Sequence, residues 1–214
     1  MNELLSILTP IETETWMKAS WQDFIHLNQQ PDYEKGRFYY DRGWMKIEMS
    51  PIGIAHARDN QIILTVISLY GAIKQISLEG LVNVSLRKTG IKEVQPDLSY
   101  YIGDRRPQLP WHNSPINLDE TPPPNLIIEI GSSSFFDDIG RKRLLYEQLE
   151  IEEYWVINVA ESQVIAFSIQ NQGSYQIRES QVLSGLAMAL VEEALSRSKT
   201  EDDSTITRWL MTTF

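Results

Sequence analysis

An acidic side chain lies inside an almost wholly apolar segment of this sequence. Residues 126–130 have the length and composition of a buried strand, yet Glu129 is in its middle. A carboxylate buried there must be ion-paired, bind a metal ion or be protonated, because leaving it bare costs several kcal/mol. A salt bridge to an arginine, or a place at the strand's end, would explain Glu129 without catalysis.

A second acid can join Glu129 in one site. Asp97 follows Pro96, which favours extended chain, and precedes an alternating apolar strand. Carboxylates that converge from neighbouring strands can hold Mg²⁺ together with waters and phosphate oxygens. A turn or helix-capping role would equally explain Asp97 taken alone.

A lysine interrupts the apolar face of the helix predicted after the strand. Asp138 is expected to be the N-cap of this helix. Lys142 either extends its amine to solvent, pairs with Asp138, or points at Glu129. The residues that share its face, at spacings of three and four, are Ile139, Leu145, Tyr146 and Leu149.

Other candidates for chemistry are weaker. His56 shares a helical face with Ile63 and Tyr70 and should point into the protein, where a histidine is more often a hydrogen-bonded core residue than a ligand. With three histidines and no cysteine, a histidine-rich zinc site is not expected and thiolate sites are excluded. The serines that follow Gly131 lack the pattern of a nucleophile elbow and are predicted as loop and helix-cap residues.

The overall charge limits how the protein can bind nucleic acid. The 214 residues have a formal net charge of −10, which argues against a non-specific nucleic-acid coat but allows a local phosphodiester site. The basic groups at 87–92 and 105–106 are expected to be solvated surface. We also expect no signal peptide, no membrane span and, without cysteine, a cytoplasmic protein.

The pattern of elements predicts an α/β protein with a mixed β-sheet flanked by helices. We expect a domain over residues 1–185, with an N-terminal helix at 13–28 and a core at about 36–180, followed by a polar helical extension at 186–214. The predicted elements before residue 125 are a hairpin at 41–43, a helix at 56–75, two strands around 89–90 and a long loop at 105–124. The strand at 126–130 follows, and its helix forms a right-handed crossover to the next strand. That next strand begins a three-strand meander that ends near 178.

The order of these motifs resembles the PD-(D/E)XK nuclease superfamily, and within it the Uma-two family of predicted endonucleases found in cyanobacteria. The resemblance covers roughly residues 38–167. It rests on "YDRGWMKIEMSP", His56, "PD", "IIEI", "DIGRKRLLY" and "EYW", taken as a series. In the superfamily's usual arrangement a lysine stands two residues after the second acid, where this chain has Gly131, and Lys142 supplies the amine instead.

The resemblance implies a restriction-endonuclease-like core and metal-dependent cleavage of phosphodiester bonds, with DNA as substrate. Asp97, Glu129 and Lys142 match the catalytic positions, and the two acids with the Ile130 carbonyl match the site of Mg²⁺, for which Mn²⁺ can substitute. It also implies a homodimer. Accessory candidates are Glu48, His56, Asp138 and Tyr146.

Two other functions fit the same residues. A degenerate fold without catalysis would bind protein or nucleic acid, and the acidic charge favours this alternative while the retained acids and lysine oppose it. A phosphatase or small-molecule hydrolase would use the same metal-and-lysine chemistry.

Overall fold

The computed structural model describes residues 11–104, 107–109, 111–131 and 133–214. The predicted surface pair Arg105 and Arg106 lies outside these residues. A 3₁₀ turn at Pro31–Tyr33 and a π-helical turn at Asp138–Lys142 complete the regular structure of the described chain. Its strands and helices are β1 (Met17–Lys18), α1 (Trp21–Asn28), β2 (Arg37–Asp41), β3 (Trp44–Glu48), α2 (Ile54–Lys74), β4 (Leu78–Val82), β5 (Leu86–Lys88), β6 (Lys92–Val94), β7 (Leu98–Ile102), β8 (Ile116–Asn117), β9 (Leu126–Gly131), α3 (Phe135–Asp137), α4 (Arg143–Glu147), β10 (Glu153–Asn158), β11 (Gln163–Gln170), β12 (Gly173–Ile177), α5 (Met188–Arg197) and α6 (Asp203–Thr213).

The chain divides into two units, each with its own mixed sheet of six strands among the described residues. The predicted α/β class is confirmed, with two mixed sheets in place of the expected one. The domain limits expected from the sequence stay a prediction. The described parts of Met1–Pro51, Ser85–Gln95 and His112–Thr121 form the first unit, and those of Ile52–Val84, Pro96–Trp111 and Pro122–Phe214 form the second.

The first unit contains the predicted hairpin, β2–β3, within a sheet ordered β1-β3-β2-β6-β5-β8. Its two-residue turn has Arg42 at φ 44° and Gly43 at φ 91°, as the twist of a tight hairpin requires. The helix predicted at 13–28 was wrong at its start, because α1 begins after Ser20. The Ser20 hydroxyl accepts a hydrogen bond from the Asp23 N–H, and the Asp23 carboxylate accepts one from the Ser20 N–H. This capping box fixes the N-terminal end of the helix at Ser20.

The basic group around β5 and β6 is not simply solvated, as the sequence had suggested. Lys92 is buried and its amine donates to Asp41 of β2, while Arg87 pairs with buried Glu93 on the neighbouring strand. Arg87 and Lys92 therefore have carboxylate partners within the sheet, and burial of Lys92 is tolerated because it is paired.

The strands between 78 and 102 correct the sequence prediction of two strands around Thr89-Gly90. There are four: β5 and β6 pair around that turn, while β4 and β7 pair with each other in the second unit's sheet. Positive φ at Asn83 (53°) accompanies the turn out of β4. The loop predicted at 105–124 includes the short strand β8, which pairs with β5.

The second unit's sheet has the order β12-β11-β10-β9-β7-β4. The buried strand predicted at 126–130 is β9, and it pairs in parallel with β10, as expected for a strand–helix–strand crossover. The predicted meander is β10-β11-β12, with antiparallel pairing throughout. β9 also pairs antiparallel with β7, so the strand that carries Glu129 is central.

Helices α2, α5 and α6 pack together in the second unit. The C-terminal segment is helical, as predicted, but it buries an apolar face that includes Val191, Leu195, Ile206 and Leu210. The helical period of these residues gives each helix one apolar stripe, which lies against the core. In the described part of the chain, no helix combines the length and apolar character needed to cross a membrane.

The two faces of β9 have different neighbours. Leu126, Ile128 and Ile130 belong to the core formed with α2, so the alternate residues, including Glu129, point to the opposite face. On that opposite face Tyr154 of β10 contacts the ring of Tyr146 on α4, with 4.8 Å between ring centroids. Strand alternation therefore directs Glu129 toward the helical segment that carries Lys142.

Candidate active site

Asp97 immediately precedes β7, beside the end of β9. The β7–β9 register pairs Leu98 with Ile128, and its continuation sets Asp97 opposite Glu129 with both side chains on one face. The carboxylate is buried, and its Oδ2 accepts a 2.7 Å hydrogen bond from the backbone N–H of Ile130. Asp97 thus binds the β9 backbone directly beyond Glu129.

Glu129 is 1% exposed and has partners on the helical segment that follows β9. Its Oε1 accepts a 2.6 Å hydrogen bond from the Tyr146 hydroxyl. Its Oε2 is 3.7 Å from the Lys142 amine. The acid inside the strand and the amine on the helix are therefore neighbours, which was one of the three alternatives that the sequence left open for Lys142.

Lys142 is fully buried and its nearer carboxylate is Asp138, at 2.9 Å from Nζ to Oδ1. The prediction that Asp138 caps the helix was wrong. The helical segment starts earlier, at Phe135, and Ser134 holds the N-cap position. Asp138 lies within the π-helical turn, where its Oδ2 accepts a 2.7 Å hydrogen bond from the Ser134 hydroxyl and its carbonyl accepts a 2.9 Å hydrogen bond from Tyr154.

Gly131 explains why an amine cannot come from the position two residues after Glu129. A Cβ at Gly131 would lie 2.5 Å from Asp138 Oδ2 and 3.0 Å from the Cα of Phe135. Real Cβ atoms do not come within 2.5 Å of another atom, so Asp138 would have to shift, and the Phe135 backbone at 3.0 Å is already a tight contact. The close return of the chain after β9 therefore disfavours a side chain at 131, while Lys142 reaches Glu129 from the helix.

His56 and Asp59 lie in the first turns of α2. His56 Nε2 is 3.2 Å from Asp97 Oδ1, so the histidine that the sequence placed toward the protein's interior contacts one of the two acids. Asp59 is 5% exposed, and its Oδ2 has no hydrogen-bond partner among the described residues. Burial raises the pKa of Asp59 to about 6, and the charges of Lys199, His56 and Arg58 only partly oppose this.

Glu48, the remaining accessory candidate, lies in β3 of the first unit. It is buried and forms ion pairs with Lys46 at 2.9 Å and Arg37 at 3.2 Å. These contacts give Glu48 a structural role in its own sheet. An accessory catalytic role stays a prediction.

The two buried acids suit a hard divalent cation. Mg²⁺ takes oxygen ligands and needs only one or two carboxylates from the protein, the rest of its shell being waters and substrate oxygens. Among the described residues no group of three or more His, Cys, Asp or Glu side chains is arranged to hold a metal ion. Asp97 and Glu129, with a backbone carbonyl such as that of Ile130, are oxygen donors of the kind that Mg²⁺ or Mn²⁺ takes.

A family model described as "Putative restriction endonuclease" and named Uma2 matches residues 21–200. The chain belongs to the Uma2 (Uma-two) family. The resemblance seen in the sequence motifs is therefore confirmed, over a longer part of the Uma2 chain than those motifs cover.

One solved structure similar to this Uma2 chain is that of "a putative nuclease belonging to DUF820" from Anabaena variabilis ATCC 29413. The two share 18% sequence identity at a TM-score of 0.58, and the match covers 83% of this chain and 99% of that one. This likeness confirms the restriction-endonuclease-like fold. No curated protein matched the chain.

Two residues beside the candidate site escaped the sequence reasoning. Asp59 follows His56 by three positions, so the helical period alone would have put both on one face. Ser134 precedes Asp138 by four positions, but it was predicted only as a loop or capping residue. In both cases the spacing was visible in the sequence, but the burial of Asp59 and the hydrogen bond from Ser134 to Asp138 were not.

Proposed function

We propose that this Uma2 protein is an endonuclease that hydrolyses phosphodiester bonds in nucleic acid, with DNA as substrate and Mg²⁺ or Mn²⁺ as cofactor. The observation that carries the proposal is the approach of the Lys142 amine to within 3.7 Å of Glu129 Oε2, with Asp97 opposite Glu129 in the β7–β9 register. Two acids can hold a divalent cation and an ammonium can stabilise negative charge, so this buried cluster contains groups suited to metal-assisted phosphodiester hydrolysis.

Asp97, Glu129 and the Ile130 carbonyl are the proposed ligands of the cation. When bound, the cation would acidify a water and offset negative charge at phosphorus. Asp97 is held for this role by the Ile130 N–H and by His56, and Glu129 is held by the Tyr146 hydroxyl. The two hydrogen bonds and the His56 contact orient the carboxylate oxygen atoms before any substrate arrives, as a preorganised site needs.

Lys142 is proposed to orient the attacking water and to stabilise the charge that develops on the phosphoryl oxygens. An ammonium is suited to both, since it donates up to three hydrogen bonds and carries a positive charge. Its partners in the structure are carboxylates at 2.9 Å and 3.7 Å, which stabilise the charged amine where it is needed.

The acidic surface charge shapes the expected binding behaviour. With a formal net charge of −10, the protein would gain little affinity from releasing counterions along a duplex. We therefore expect substrate binding to depend on the local contacts of the site. The homodimer implied by the family resemblance stays a prediction.

The proposal is tested by incubating the purified protein with plasmid DNA, single-stranded DNA and RNA, each with Mg²⁺, Mn²⁺ or EDTA. We expect cleavage with a divalent cation and none with EDTA. Asp97→Ala and Glu129→Gln should each abolish it. If the wild type and Asp97→Ala behave alike on every substrate, the endonuclease function is wrong, and binding without cleavage would favour a non-catalytic binding module.

A matched control separates loss of chemistry from loss of folding. Glu153→Gln makes the same change on the adjacent strand β10, at a fully buried glutamate that accepts hydrogen bonds from Trp155 and from the backbone of Gln181 and Val182. This variant should unfold at lower urea concentration and still cleave. Thermal melting of each variant shows which fraction is folded in the assay.

A further inference from the structure

The Lys142 amine lies nearer to an acid outside the proposed metal ligands than to Glu129. Asp138 Oδ1 is 2.9 Å from Nζ, compared with 3.7 Å for Glu129 Oε2. Both Asp138 and Lys142 are 0% exposed. We infer that Asp138 is a positioning residue, which holds the charged amine of Lys142 beside Glu129. This inference rests on the proposed function.

The helical segment is built to present this pair. Asp138 and Lys142 are the first and last residues of the π-helical turn. Single π-helical turns within α-helices are rare and are often found at functional sites. The widened turn keeps residues four apart on one side, so the carboxylate and the amine meet on the side that faces β9.

Asp138 is itself held at two points. Its Oδ2 accepts a 2.7 Å hydrogen bond from the Ser134 hydroxyl, and its backbone carbonyl accepts a 2.9 Å hydrogen bond from the Tyr154 hydroxyl. The absence of a side chain at Gly131 gives Oδ2 its space, since a Cβ there would lie 2.5 Å away. With Oδ2 of Asp138 held by Ser134, Oδ1 is the oxygen that sets the position of the Lys142 amine.

Charge explains why a second acid is needed. Glu129 alone would have to serve the proposed cation and Lys142 together, and a cation bound to Glu129 would repel the ammonium. Asp138 supplies a separate negative charge on the helix itself, so Lys142 can remain charged and in place when Glu129 is engaged. The amine is then available to the substrate without depending on the metal ligand for its position.

The test compares Asp138→Asn with Asp137→Asn, the same change at the preceding residue. Proton–nitrogen NMR of the lysine ammonium groups detects an amine that is held and shielded from exchange. The Lys142 resonance is assigned by its absence from Lys142→Met. We expect it in the wild type and in Asp137→Asn, and we expect it to be lost or broadened in Asp138→Asn, without added metal.

Cleavage kinetics form the second arm, using whichever of plasmid DNA, single-stranded DNA or RNA the wild type cuts with Mg²⁺. Asp138→Asn should lower kcat by about 10- to 100-fold with KM little changed, the size seen when a supporting partner of a site residue is removed. Asp137→Asn should leave both unchanged. A residue needed only for folding would lower the folded fraction and leave kcat per folded molecule intact.

Two results would overturn the inference: a wild type without a Lys142 resonance, or an Asp138→Asn variant that keeps both the resonance and kcat. If the wild type cuts nothing, the proposed function fails, while the NMR arm still decides whether Asp138 holds the amine. If Asp138→Asn does not fold, Ser134→Ala takes its place. Loss of the hydroxyl donor should broaden the Lys142 resonance, and an unchanged spectrum would count against the inference.

Discussion

Replacing Asp59 by asparagine should stabilise the protein at neutral pH but hardly at acid pH. Burial raises the pKa of this carboxyl from 3.8 to about 6, and its Oδ2 has no hydrogen-bond partner among the described residues. The folded state therefore favours the protonated acid. Stability is lost as the pH rises from the unfolded pKa through the folded pKa, because the unfolded chain then holds fewer protons than the native one.

The size of this effect follows from the pKa difference. At pH 7 the ionised Asp59 should destabilise the fold by about 3 kcal/mol, and at pH 4 by less than about 1 kcal/mol. The cost of burying an asparagine amide applies equally at both pH values. The gain in unfolding free energy on Asp59→Asn should therefore be about 2 kcal/mol larger at pH 7 than at pH 4.

Urea denaturation followed by tryptophan fluorescence at pH 4 and pH 7 measures the difference. The exposed Asp32 provides a control, since Asp32→Asn should show nearly the same change in unfolding free energy at both pH values. An equal effect of Asp59→Asn at the two pH values would refute the reasoning. Confirmation would mark Asp59 as an acid kept near His56 at the expense of stability, as is common close to functional sites.

Three further variants test the contacts of the site. Tyr146→Phe removes the hydroxyl that donates to Glu129 Oε1, so the unfolding free energy in urea should fall by about 1–3 kcal/mol and cleavage should slow. Gly131→Ala forces a Cβ to 2.5 Å from a carboxylate oxygen and should lower the unfolding free energy by about 1–3 kcal/mol. Its control is Gly140→Ala, whose Cβ would have no neighbour within 4 Å, so the unfolding free energy should stay unchanged or rise by up to about 1 kcal/mol. Lys142→Met leaves two buried carboxylates without the ammonium that pairs with them, and urea denaturation should show a loss of about 3–5 kcal/mol in unfolding free energy. A loss below about 1 kcal/mol would contradict the buried ion pair.

Local patterns predicted those elements whose signals are complete within a few residues. The hairpin at Arg42-Gly43 and the meander β10-β11-β12 are of this kind, because turn chemistry and alternation specify them directly. The start of α1 at Trp21 was also a local signal, the capping box at Ser20, and it was overlooked in favour of a longer apolar period. The four strands between 78 and 102 are divided between two sheets by pairing with strands distant in the sequence, and no local pattern predicts such pairing.

The sequence by itself determined which residues were candidates: an acid within a buried strand, another at a strand's start, and a lysine on an apolar helical face. Composition and periodicity are sufficient for that, because burying Glu129 or Lys142 demands a partner wherever it happens. Only the tertiary structure decided the partners. It set Asp97 on the β9 backbone and against His56, and it made Asp138 the nearer counter-charge of Lys142. Those choices depend on distances between chain segments that only the packed sheet and helices define.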